Sequence, residues 1–277
     1  QETGFIYFGN RYYDASLGRW ITPDPIGHED GPNLYAYVSN SPLTHFDLYG
    51  LFEGNITFWD GFEKFFPNHE SSTYFHLGVK EKPDVRSFFT NGIWNTWPKA
   101  LESSLYLSDL AGGYNIHTVY NATHSYYDVL EYALGHARIA TTPVRLLHEA
   151  WDKFFSNCSP DAMILQNCHS QGVLNVRNAL ASYPENLRKR IYVVAIAPGA
   201  YIDPKLCADV VHYRVKGYRD PIPQIHRWGM EAAKDTIVEL PCHPEADNFD
   251  HSFTSKTYRD VLKRHLNNYI QSGGKEF

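Results

Sequence analysis

The chain has 277 residues, with 25 Lys and Arg against 31 Asp and Glu and a formal net charge of -6. Domains that bind nucleic acid present a basic face, so this balance argues against nucleic acid as a partner. With 43% hydrophobic and 15% aromatic residues the chain can build a large core, which excludes both a disordered tail and a small scaffold stapled by disulfides or metal.

Residues 1–50 are dense in Gly, Tyr, Asn and Pro, with short strand-like runs and no helical period. In order come Gly4, Tyr7, Arg11-Tyr12-Tyr13-Asp14, Gly18-Arg19-Trp20, Pro23-Asp24-Pro25-Ile26-Gly27, Asn33-Leu34-Tyr35-Ala36-Tyr37-Val38, Asn40, Pro42, Asp47 and Gly50-Leu51. This order and spacing resemble the RHS-repeat-associated core of polymorphic toxins. The resemblance implies a segment that closes a β-shell around a variable C-terminal effector and acts as an aspartyl autoprotease. Asp24 and Asp47 would form the acid pair, sharing a proton to activate water, with cleavage near Gly50 and Leu51. Leu48 stands where the family has Pro after the Asp. Read from residue type alone, Asp14, Asp24 and Asp47 are equally turn residues, favoured by their Gly and Pro neighbours. The resemblance also implies the upstream shell and an immunity protein as partners, and a toxin-like effector over residues 51–277.

Glu53 to Pro83 shows no clear period and is assigned to an irregular cap or an edge strand. From residue 85 strands and helices alternate. Val85 to Phe89 predicts a strand, Asn91-Gly92 a turn and Ala100 to Leu110 a helix. Asn115 to Tyr120 predicts the next strand, followed by a helical stretch from Tyr126 to Phe155 interrupted at Pro143. Ala162 to Asn167 is a third strand, with a sharp turn through Cys168 to Gln171 and a helix from Val173 to Ser182. Further strands are expected at Ile191 to Ile196, Val210 to Val215 and Thr236 to Leu240. Strands that alternate with helices, several of them almost wholly apolar, predict an α/β fold with a mostly parallel sheet covered on both faces.

A strand, then Cys168-His169-Ser170-Gln171-Gly172, then a helix is the setting of a nucleophile elbow, in which a tight turn pushes a Ser hydroxyl into the open. The His-Ser-Gln-Gly core resembles lipases and related esterases of the α/β-hydrolase fold. Cys168 replaces the first Gly of that pattern and is expected to crowd the turn. The fold places an acid after a later strand and a His after the last one. Asp220 and His251 stand at those positions, with Asp203, Asp209 and His243 as rivals. In this reading His251 takes the Ser170 proton and Asp220 orients the imidazole. Gln171, Gly92 and Ile93 are the candidate oxyanion hole. On residue type alone, Ser170 is also a helix cap and Asp220 a turn initiator.

No C-x-x-C pair occurs among Cys158, Cys168, Cys207 and Cys242, which read as reduced thiols. His117, His124, His169, His212 and His226 lack metal-ligand spacing and read as structural or surface residues. His243, Asp247, Asp250 and His251 form a weak metal-ligand alternative. No phosphate-loop motif is present, so neither a cofactor nor a metal is expected. The longest apolar run falls short of the roughly 20 residues that span a bilayer, and Gln1 opens no signal peptide, so the chain reads as the end of a longer, delivered effector. The expected function is a serine esterase acting on lipid acyl esters, with transient contact at a membrane surface. Phe58, Trp59, Phe62, Phe65, Phe66, Trp94 and Trp97 are candidates for an apolar acyl groove. A binding effector with an inactive elbow and a metal-dependent nuclease are the alternatives.

Overall fold

The computed structural model describes residues 5–7, 11–24, 32–40, 45–46, 54–57, 72–92, 96–122, 141–217, 219–224 and 227–276. Strands β1 (Phe5–Tyr7), β2 (Tyr12–Asp14) and β3 (Arg19–Trp20) form a small antiparallel sheet. Its centre is Trp20, buried beneath the Arg11 guanidinium and flanked by Tyr13 and Tyr37.

A second sheet contains nine strands: β4 (His45–Phe46), β5 (Gly54–Thr57), β6 (Thr73–Leu77), β7 (Ser87–Thr90), β8 (Ile116–Tyr120), β9 (Ile164–His169), β10 (Ile191–Ile196), β11 (Asp209–Val215) and β12 (Ile237–Leu240). Their spatial order is β12-β11-β10-β9-β7-β8-β6-β5-β4. The six strands from β12 to β8 run parallel, and β6, β5 and β4 continue the sheet antiparallel. Residues 53–83 therefore supply two strands, and β6 is interior to the sheet instead of at its edge. It pairs with β5 on one side and β8 on the other, while Phe75 and Leu77 bury one of its faces against Ala100, Leu101 and Tyr120.

The helices are α1 (Trp97–Leu110), α2 (Thr142–Phe155), α3 (Gly172–Ser182), α4 (Glu185–Arg188), α5 (Arg227–Ala232) and α6 (Lys256–Gln271). Successive residues of a strand point to opposite faces, and the core divides accordingly. Phe88, Ile164, Ile191, Val193 and Ala195 pack with α2 and α3, whereas Phe89, Leu165, Tyr192, Val194 and Ile196 pack with α1 and α6. Pro143 does not interrupt a helix. It lies in the first turn of α2, where a missing N–H costs nothing; residues 123–140, on which the earlier part of the expected helix falls, lie outside the described residues. Trp97 packs edge-on against Phe75 and Tyr120, so it belongs to the core and not to an acyl groove. The other aromatics proposed for that groove lie outside the described residues.

Two wholly buried polar side chains fix the middle of the sheet. In β9, Gln166 donates to Thr90 Oγ1 and accepts from Trp151, while Asn167 donates to Ser87 Oγ. These bonds tie β9 to β7, the pair at which the chain reverses its direction of travel across the sheet. In open α/β sheets the crevice beyond the strand ends at such a point is where ligands bind. Among the described residues no helix is long and apolar enough to cross a membrane.

Candidate active site

Ser170 joins β9 to α3 with φ +54, a left-handed conformation that costs a non-glycine residue about 1–3 kcal/mol. The neighbouring backbone holds it there. Ser170 N–H donates to Ile196 O (3.2 Å), and Ser170 O accepts from Gly199 N (2.9 Å) and Val173 N (3.2 Å). Two glycines permit the close approach. A Cβ on Gly172 would run into Thr90 O and lie 2.6 Å from Asn91 O, and one on Gly92 would lie 2.6 Å from Ser170 Cβ. The expected crowding at Cys168 is not what the structure has. The thiol faces the α2–α3 layer, packs in that core with Val173 and Val176, and donates to Val194 O (3.8 Å).

His251 and Asp220 reach Ser170 from two later loops. His251 Nε2 lies 2.9 Å from Ser170 Oγ, and His251 Nδ1 lies 2.7 Å from Asp220 Oδ2. A carboxylate only accepts, so Nδ1 carries the proton and Nε2 is left to accept from the hydroxyl. The other oxygen of Asp220 accepts from Ile222 N at 3.0 Å, and its side chain is fully buried. The rivals stand elsewhere. Asp203 caps a short helical turn through Lys205 N, Asp209 accepts from Val210 N, and His243 accepts from Glu245 N.

Gln171 follows Ser170 at the N-terminus of α3, where unpaired N–H groups and the helix dipole favour negative charge. Gly92 brings the loop after β7 against Ser170. Ile93 lies outside the described residues. Behind this loop is a network that the sequence reading missed. Asn91 Nδ2 donates to Gly92 O and Asn121 O, Asn91 Oδ1 accepts from Asn121 N, and Asn121 Nδ2 donates to Gln171 Oε1. It fastens the ends of β7 and β8 to the elbow.

Of the two expectations for His169, structural or surface, the structure has the first. His169 is buried, and its Nε2 donates to His251 O at 2.7 Å, which steadies the loop that carries the imidazole. Burial, aided by the neighbouring His251, lowers its pKa to about 3, so it stays neutral. Its position immediately before Ser170 was the only sequence signal. Asp250 likewise serves the loop, not a metal: its Oδ2 accepts from Thr257 Oγ1 at 2.6 Å. Among the described residues no group of three or more His, Cys, Asp or Glu could hold a metal ion. Asp24, in the small sheet region, is paired with Arg11 at 2.7 Å; Asp47 lies outside the described residues.

A mostly parallel sheet with helices on both faces and a strained serine at the central strand-to-helix turn defines the α/β-hydrolase fold. The solved structure of an arylesterase matches it with a TM-score of 0.50 and 12% identity, over 80% of this chain and 85% of that one. The chain belongs to the family described as "Protein of unknown function (DUF687)", whose model matches residues 78–242. It is also similar to Toxin subunit YenC2 of Yersinia entomophaga, with 49% identity over 49 residues, 18% of this chain and 5% of that protein. With the protein YibJ of Escherichia coli it shares 46% identity over 104 residues, 38% of each chain. The chain thus spans only a small part of the length of these relatives.

Proposed function

We propose that this chain is a serine hydrolase that cleaves carboxylic esters and forms the effector end of an RHS-type toxin. The observation that carries the reading is the continuous chain from Ser170 Oγ through the His251 imidazole to Asp220, built on a residue held at φ +54. In the reaction, His251 Nε2 takes the Ser170 proton as Oγ attacks the ester carbonyl. The N–H groups of Gln171 and Gly92 are the proposed donors to the oxyanion that forms. His251 then returns the proton to the alcohol oxygen as the C–O bond breaks, leaving an acyl group on Ser170. Water, deprotonated by the same imidazole, releases the acid. Asp220 keeps the imidazole in the required tautomer throughout.

Lipid acyl esters are the proposed substrates, because the toxin relative suggests delivery into a target cell and membranes there are the abundant source of acyl esters. The test is labelling with a fluorophosphonate probe, followed by lipid analysis of cells expressing the chain or its Ser170→Ala form. Stoichiometric labelling, lost in S170A together with at least about 10³-fold of the ester hydrolysis, supports the reading. Folded protein that takes up no probe overturns it.

The proposal includes release from the upstream shell by aspartyl autoproteolysis at Asp24 and Asp47. A chain extended through that shell releases a fragment beginning near Leu51. Release that persists with both residues changed to Asn refutes the acid pair.

A further inference from the structure

We infer that Phe249 is a specificity-determining residue that contacts the alcohol portion of the ester and favours apolar alcohols. The inference rests on the esterase reading above. Phe249 is 51% exposed, although it is a large apolar side chain, and its ring centre lies 5.6 Å from that of His251 with 32° between the planes. A single exposed aromatic is ordinary on a protein surface. This one stands against the ring that must hand a proton to the leaving oxygen. The alcohol is therefore on the His251 side of the scissile bond, and whatever is attached to that oxygen passes beside Phe249.

The main chain that carries it is also fixed in place. His251 N–H donates to Phe249 O at 2.9 Å, closing a three-residue turn. Within the turn, Asp250 is buried and bonded to Thr257 Oγ1, which in turn accepts from His243 N at 3.0 Å. His169 holds His251 O from beneath. The backbone at Phe249 thus keeps a set position beside the imidazole instead of sweeping as a loop tip would. A half-exposed ring gains most from covering an apolar group and little from a methyl or a charged one.

The test keeps one end of the ester constant while varying the other. With acetate esters the acyl-enzyme is always acetyl-Ser170, so differences between alcohols arise in acylation and are read in kcat/KM. Phe249→Ala lowers the ratio of kcat/KM for hexyl acetate to that for methyl acetate about tenfold, and Phe249→Leu restores part of it. The ratio of methyl hexanoate to methyl acetate, which varies the acyl end, stays the same in F249A. Uniform loss across both series, or a change confined to the acyl series, overturns the assignment while leaving the esterase reading intact. A folded wild-type chain that hydrolyses none of these esters and resists the fluorophosphonate removes both together.

Discussion

Acidification below neutrality should destabilise this protein through histidines that the fold keeps neutral. His169, His212 and His265 are buried, and burial lowers their pKa values to about 3, about 3 and about 4, from an ordinary 6.5; burial likewise holds His117 well below that value. At His212 the hydrogen bonds state why: Nδ1 donates to Thr236 Oγ1 at 2.7 Å, and Nε2 accepts from Ile202 N at 3.1 Å. A second proton would meet that N–H head-on. In the unfolded chain each imidazole takes up its proton near 6.5, so between there and the folded values the unfolded state holds more protons. Stability is therefore complete above 6.5 and falls as the pH drops toward 3. Each histidine contributes a slope of up to about 1.4 kcal/mol per pH unit; His169, His212 and His265 together remove about 6 kcal/mol between pH 7 and pH 5, and His117 adds to that loss. Total stabilities of about 5–15 kcal/mol leave little in reserve at that point. Urea unfolding at several pH values, followed by tryptophan fluorescence, measures the slope. At least about 4 kcal/mol per pH unit is expected between pH 6 and pH 5, falling by about 1 kcal/mol per unit in His212→Gln, whose amide oxygen can still accept from Ile202 N. A slope below about 1 kcal/mol per unit would refute the reasoning, since it corresponds to fewer than one such histidine.

The elbow makes sharper demands than its charge chemistry. Gly172→Ala places a Cβ against two backbone carbonyl oxygens that cannot rotate away, and its melting curve should report a loss of more than about 3 kcal/mol. Gly217→Ala, at φ +89 in open space, should cost only about 1–2 kcal/mol in the same assay. Asn91→Ala leaves buried partners in the β7 and β8 loops unpaired, and urea titration should show about 2–3 kcal/mol lost. His169→Leu removes the donor to His251 O and should lower kcat about tenfold with KM little changed. His169→Gln, which places an N–H near the same point, should recover most of it; equal loss in both variants would assign His169 to packing alone.

The sheet was legible where composition and geometry coincide. Ile191 to Ile196 reads as an unbroken apolar run because both of its faces are buried, and the observed strand has those same bounds. Ser170, Asp220 and His251 could be nominated because chain order in a doubly covered parallel sheet restricts where loops from later strands can meet the elbow. The antiparallel extension was not legible. Thr73 to Leu77 mixes aromatic, His and Thr residues, and its buried Phe75 and Leu77 are too few to separate an interior strand from an edge. Also hidden were contacts between residues distant in the chain. Nothing local to Asn91 announces Asn121 thirty positions on, and nothing near His169 announces the carbonyl of His251.

The departure at Cys168 separates two demands that the G-x-S-x-G pattern merges. Residues 164, 166 and 168 share one face of β9, so a side chain at 168 is directed toward the α2–α3 layer and not into the space around Ser170. That layer has room for a thiol, and the residue is filled into the core like any small hydrophobe. At 172 and 92 the constraint is of another kind. There, backbone from the β7 loop passes against the turn itself, and any Cβ would meet main-chain atoms or Ser170 Cβ. The turn at Ser170 is thus set by its hydrogen bonds to Ile196 of β10 and from Gly199 just beyond that strand, and by two glycines on the β7 side, and the identity of residue 168 decides only how closely α3 rests on the sheet. A larger side chain at 168 would press on Val173 and Val176 before it reached the Ser170 hydroxyl.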